Sequence, residues 1–189
     1  MTAEYLAAFA SVGTFVVIAI TAIAAVVQLR HIRSANQLTG ALHVTERFRS
    51  DEIQSATRFI YDQLPARLRE PAYRAELMFP GSLDRRSHPE LFVCDMFEQT
   101  GSYIKHGMLD ASQFLDFAGS YARDMWGQLR EVVALRRAGT NDAATYENFE
   151  YVAALADDYS GAHGGGTYPR GARRLLPDEE WRALQVPER

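Results

Sequence analysis

A guanidinium placed on the apolar side of a helix is the most chemically suggestive feature of this sequence. Arg136 follows Leu129 by seven residues and Val132 by four, so helical spacing puts it on the stripe that should face a core. A charge there needs a carboxylate partner. Glu98, on the helix flank with Cys94 and Gly101, and Glu150, beside Tyr146 and Ala153, are the nearest candidates by pattern. Glu98, Arg136 and Glu150 would together line a pocket for a small anionic ligand, although such a group more often serves as an interhelical tie that sets register.

Other reactive residue types lack the company their chemistry requires. Gly161-Ala162-His163-Gly164-Gly165-Gly166 contains the His-Gly-Gly-Gly string of some esterase oxyanion loops. The Gly-x-Ser-x-Gly elbow that would supply the nucleophile is absent, and so is the Gly-Lys-Ser/Thr of a phosphate loop. The stretch reads as a flexible linker. His31, His43, His88, His106 and His163 are scattered without metal-ligand spacing, so neither a metal nor a cofactor is expected. Cys94 is the single cysteine and has no internal disulfide partner, as suits a reducing compartment.

The elements that would position these residues begin with an uncharged run. No Asp, Glu, Lys or Arg occurs from Tyr5 to Leu29. As a helix this run covers roughly 37 Å, enough to cross a hydrocarbon core of about 30 Å with some tilt. Phe15, Val16, Val17, Ile18, Ile20, Ile23, Val26 and Val27 point all the way round, leaving no polar face. Ala22-Ile23-Ala24 mimics a signal cleavage site, but Met1 to Glu4 carries no cation and the run exceeds a signal core, so a permanent transmembrane helix is the reading. Arg30, Arg33, Arg47 and Arg49 follow the run, against Glu4 before it, which places the amino terminus outside and the body in the cytoplasm.

The body reads as helices. Leu38, Ala41, Leu42, Thr45 and Phe48 fall at helical spacing, and Ile53, Ala56, Ile60 and Leu64 repeat the pattern after a break capped by Ser50-Asp51-Glu52. Pro65 ends this segment, and a short helix is expected around Ala72 to Met78, before Pro80-Gly81. Ser87-His88-Pro89-Glu90 matches a capping box with proline in the first turn, and this suffices to explain a polar residue at His88. Phe92, Val93, Met96, Phe97, Tyr103 and Ile104 form the apolar face of that helix, which Gly107 stops. A long helix from near Asp110 buries Phe114, Ala118, Tyr121, Met125, Leu129, Val132 and Val133 and ends at Gly139. Asn141-Asp142 opens the last, with Tyr146, Phe149, Val152, Ala153 and Ala156 inward. The fold class is all-α, one N-terminal transmembrane helix followed by a cytosolic helical bundle. The organisation is a short outer terminus at 1–4, the span at 5–29, a juxtamembrane helical segment at 30–64, the bundle at 65–160, and a Gly-rich linker with a short helix at 161–189.

Several of these segments carry a resemblance. The uncharged leader, Met96-Phe97-Glu98-Gln99-Thr100-Gly101 leading to Gly107-Met108-Leu109-Asp110, the Trp126 helix with Arg136, and Tyr146-Glu147-Asn148-Phe149-Glu150 resemble a bacterial family of uncharacterised membrane-anchored helical proteins. It is catalogued as domain of unknown function 4760. The resemblance runs from the anchor to about Leu155 and implies architecture, a bacterial inner membrane location and no established activity.

Partners follow from composition and faces. With 189 residues and a net charge of -4 the chain lacks the basic surplus that nucleic acid requires, so no nucleic-acid role is expected. Membrane lipid is the expected partner of the span and its flanking cations. Ala3, Ala7 and Ser11 recur every fourth residue, a small-residue stripe suited to homo-oligomer contact. Trp181 and Leu184 share a face of a short C-terminal helix fit for a protein partner or for docking on its own bundle. The sequence is therefore read as an interaction or regulatory module rather than an enzyme. The alternative is a membrane-tethered enzyme or sensor for a small anion using Glu98, Arg136 and Glu150.

Overall fold

The computed structural model describes residues 3–164, 166–169, 171–173 and 175, with side chains left out at 3–11, 33–34 and 36–38. The first element, α1 (Ala3–Arg49), is one helix of 47 residues, about 70 Å long at the α-helical rise. Its portion Val12–Ile32 is long and apolar enough to cross a membrane, and none of it is buried against the rest of the chain. The run meets the test for a span that a signal sequence near the amino terminus would also meet.

The helix does not break where the charges begin. It continues through Gly40, where an added Cβ would lie 2.6 Å from the carbonyl oxygen of Met108. Glycine is required there because another part of the chain crosses at that point. Beyond it Val44 is buried, and Ala41 and Phe48 pack against the core. The Phe48 ring lies 5.8 Å from Phe97 and 5.6 Å from Tyr121, both edge-on, so the last turns of α1 are part of the bundle itself. Leu42, expected on this inner face, is instead exposed, and Val44 takes the inward position.

Six further helices make up the bundle among the described residues: α2 (Asp51–Asp62), α3 (Leu64–Arg67), α4 (Pro71–Leu77), α5 (Glu90–Lys105), α6 (Ala111–Thr140) and α7 (Glu147–Ala162). No strand occurs among them. Ser50 caps α2 by accepting from the Ile53 N–H at 3.4 Å, and Ile53, Ala56 and Ile60 face inward. Gly107, at φ 68, turns the chain between α5 and α6. The largest packing surfaces join α7 to α6 and to α5. Phe149 is stacked on Phe97 at 4.8 Å and meets Trp126 edge-on at 5.1 Å, which places these aromatics at the centre of the core.

Three boundaries differ from the sequence expectation. Gly139 lies inside α6 rather than at its end, because a Cβ there would stand 2.0 Å from the Met78 carbonyl oxygen, and only glycine lets α6 pass the end of α4. The left-handed cap is Asn141, at φ 50. The last helix starts at Glu147, not at Asn141-Asp142. Residues 141–146 form the reversal, with Tyr146 held at φ 58. The helix then runs to Ala162, into what was expected to be linker, and the Thr167 hydroxyl hydrogen-bonds Asp116 on α6.

The cap at Asp110 makes a testable pH dependence. Its carboxylate accepts from the Ser112 hydroxyl at 2.6 Å and from the Gln113 N–H at 3.0 Å. These bonds hold its pKa below the usual aspartate value of 3.8. A depressed folded pKa stabilises the fold above the unfolded pKa and loses that contribution as pH falls through the folded value. Asp110→Ala should therefore cost about 1 kcal/mol at neutral pH. Urea titrations of both proteins should converge once pH drops below that range, and a penalty constant with pH would contradict the cap.

Candidate functional site

The most unusual side chain in the bundle is Glu90, a carboxylate with no solvent exposure. It opens α5, where a negative charge near the helix N-terminus is favourable, but it turns inward. Ser87 makes no cap and Pro89 occupies the cap position, so the expected capping box does not form. The turn before it is set by Asp84, whose carbonyl accepts from the N–H groups of Ser87 and His88 at 3.2 and 3.0 Å. That turn drives His88 into the core, where it is 2 % exposed.

A chain of hydrogen bonds results. The Tyr73 hydroxyl on α4 donates to Glu90 Oε1 at 2.7 Å, and His88 Nδ1 lies 3.1 Å from the same oxygen. His88 Nε2 lies 3.2 Å from Oε2 of Glu76, whose side chain is half-exposed. The Tyr73 and His88 rings are 4.7 Å apart, and the Arg67 guanidinium sits 4.6 Å from the centre of the Tyr73 ring. Among the described residues Glu90 Oε2 has no hydrogen-bond partner. His88 thus bridges the buried Glu90 and the half-exposed Glu76, one carboxylate at each ring nitrogen.

The His88 edge meets solvent at an open cleft of about 610 Å³ lined by Ala72, Ala75, Glu76, Phe79, Ser82, Leu83, Asp84 and Ser87. The arrangement links a buried to an exposed carboxylate through one imidazole ring. Nucleophilic chemistry is not supported here: burial, then the nearby Glu90 charge, pushes the Cys94 thiol well above its ordinary pKa, so it stays protonated. Burial, then the hydrogen bond to Glu90, raises the Tyr73 phenol as well. Among the described residues no group of three or more His, Cys, Asp or Glu could hold a metal ion.

The residues singled out by sequence do not converge. Arg136 was expected to meet a carboxylate, but its guanidinium donates to three carbonyls: Leu77 at 3.0 Å, Phe79 at 2.5 Å and Gly81 at 3.1 Å. It thereby closes the C-terminal end of α4, where orphan carbonyls and the helix dipole call for a cation. Glu98 does something different. Its two oxygens accept from the Asn148 and Phe149 N–H groups, both at 3.0 Å, and from the Asn148 amide at 2.7 Å. It caps α7 from α5. Gly101, one turn further along α5, makes the approach possible, since a Cβ there would stand 2.2 Å from the Asn148 carbonyl oxygen. Glu150 pairs with Arg137 at 2.7 Å on the partly exposed side. Each of the three has its own structural partner.

Ala3, Ala7 and Ser11 lie on α1, but their side chains are outside the described residues, as are Trp181 and Leu184. Sequence reasoning missed Tyr73, Glu76, His88 and Glu90 as a group. The one available signal was His88 beside Glu90 at a helix start, which local capping rules already explained.

These features define an all-α bundle carried on the C-terminal end of a long helix whose N-terminal half holds the apolar run. The chain belongs to the family described as domain of unknown function (DUF4760), whose model matches residues 15–155, covering the apolar helix and the bundle through most of α7. No curated protein and no solved structure matches it.

Proposed function

We propose that this chain is a single-pass anchor protein of a bacterial inner membrane, with its amino terminus outside and its bundle in the cytoplasm, acting as an interaction or regulatory module. The observation that carries the reading is the continuity of α1: the same helix that holds the apolar run ends with Val44 and Phe48 in the bundle core. A span joined to its domain this way has no flexible tether, so tilt or association in the bilayer reaches the bundle directly. The separate structural duties of Glu98, Arg136 and Glu150 favour this over a ligand sensor built on those residues. The cationic positions Arg30, Arg33, Arg47 and Arg49 support the inward orientation.

A reporter active only in the cytoplasm should work when fused after Arg189, whereas activity confined to a periplasmic reporter would reverse the orientation. Homo-oligomer formation through Ala3, Ala7 and Ser11 belongs to the same proposal. Crosslinking in bilayers should weaken when Ala7 and Ser11 are both changed to Ile, and equal yields would remove this stripe as the contact.

A further inference from the structure

An open apolar groove lies where the end of α1 and the start of α2 meet α6. It encloses about 400 Å³, with Phe48, Thr57, Phe117 and Tyr121 in its walls and Arg49 as its one lining charge. Phe48 meets Phe117 edge-on at 6.3 Å and Tyr121 edge-on at 5.6 Å, an angled aromatic wall of the kind that takes a further aromatic side chain. Phe117 is 53 % exposed. The hydroxyls beside these rings are satisfied within the protein, Thr57 and Tyr121 by each other at 2.8 Å and Thr45 by the Ala41 carbonyl at 2.8 Å. The exposed Arg49 guanidinium, by contrast, has no hydrogen bond or ion pair among the described residues. The groove thus asks for an aromatic or aliphatic side chain with an acid close by.

The chain itself leads there. After α7 the Thr167 hydroxyl donates to Asp116 on α6, the residue before Phe117. The described chain ends at Leu175, and Trp181 follows Thr167 by fourteen residues. A coil of that length spans about 20 Å on average, whereas Tyr121 lies only about 8 Å along α6 from Asp116. Met78, also exposed, lies by Gly139, about 35 Å along α6 from Asp116. Chemistry agrees with reach. At helical spacing Asp178, Trp181 and Leu184 fall on one stripe, and Glu179 and Glu180 extend the acidic run. A tether of this length holds the tail at the groove at an effective concentration on the order of millimolar, which favours it over a separate partner.

We propose that residues 178–184 dock on this groove within the same chain, with Trp181 against Phe117 and Tyr121, Leu184 beside it and Asp178 toward Arg49. The tail then bridges the end of α1 to α6 and closes the aromatic wall to other proteins. This docking does not depend on whether α1 crosses a membrane.

The test uses the full chain in mild detergent, with cysteine pairs in a Cys94→Ala background, gentle oxidation, and the mobility of the unreduced chain as readout. Gln54→Cys, in the groove wall, paired with Gln185→Cys should close an intramolecular disulfide about tenfold faster than Met78→Cys paired with Gln185→Cys. Trp181→Ala, a change in the tail alone, should bring the fast pair down to the control rate, and Phe117→Ala should do the same. Equal rates for the two pairs, or a fast pair indifferent to Trp181→Ala, would overturn the proposal. A disulfide between two chains that replaces the intramolecular one and rises with protein concentration would mean that a second copy fills the groove, which also overturns it. Arg49→Glu should slow the fast pair, and Asp178→Lys added to it should restore the rate. A rate indifferent to both changes would overturn the contact assigned to Arg49.

Discussion

His88→Leu is expected to destabilise the bundle more than any other single change at a polar position. The substitution keeps an apolar body in the site but removes the donor at 3.1 Å from Glu90. Glu90 would keep the Tyr73 hydroxyl alone, with Oε2 already unpartnered and no exposure to water. Breaking a buried pair from one side commonly costs 3 to 5 kcal/mol, and the surviving Tyr73 bond places this case near the lower end, about 3 kcal/mol. For a domain of this size that lowers the melting temperature by about 10 °C. The double variant His88→Leu with Glu90→Leu should recover much of the loss, since removing both partners removes the stranded charge as well. Unchanged melting in the single variant would mean that the cluster is not a coupled pair.

The second large effect is expected at Arg136. Arg136→Met keeps much of the stem's packing but strands the carbonyls of Leu77, Phe79 and Gly81. Hydrogen bonds to a charged donor contribute about 1.5 to 3 kcal/mol each, but the variant also removes the cost of holding a guanidinium at 9 % exposure. The net loss should be about 2 kcal/mol, smaller than for a carboxylate left buried without its cation. Arg136→Lys should recover only part of it, because an ammonium cannot fork across carbonyls that lie in different directions. Equal melting of the Met variant and the parent would contradict the cap. Full rescue by Lys would show that charge alone matters.

These two sites mark where sequence reading stopped. Ser50, Gly107 and Asp110 were legible because a cap or a left-handed turn is decided by residues within one helical turn of each other. The apolar faces of α2, α5 and α6 were legible because burial repeats with the helix period. Arg136 was recognised as buried, but its partners are backbone carbonyls 55 to 59 residues earlier in the chain, and no residue type advertises a free carbonyl. Glu98 was assigned as a side-chain partner for the same reason: the two N–H groups it accepts from belong to a helix whose start could not be located from Asn141 and Asp142. Glu90 was hidden by a local rule that its surroundings overrode, since Pro89 took the cap position and the Asp84 turn sent His88 inward. On propensity alone Gly40 weighs against a continuous α1, and the reason for that glycine, the crossing Met108 carbonyl, lies far along the chain.

The central claim is that α1 holds this bundle in a membrane. Alkaline carbonate extraction of membranes from cells making the full chain tests it most directly. The chain should remain entirely in the membrane pellet, and a version lacking residues 1–29 should pass to the supernatant. Release of the full chain by carbonate would contradict the claim.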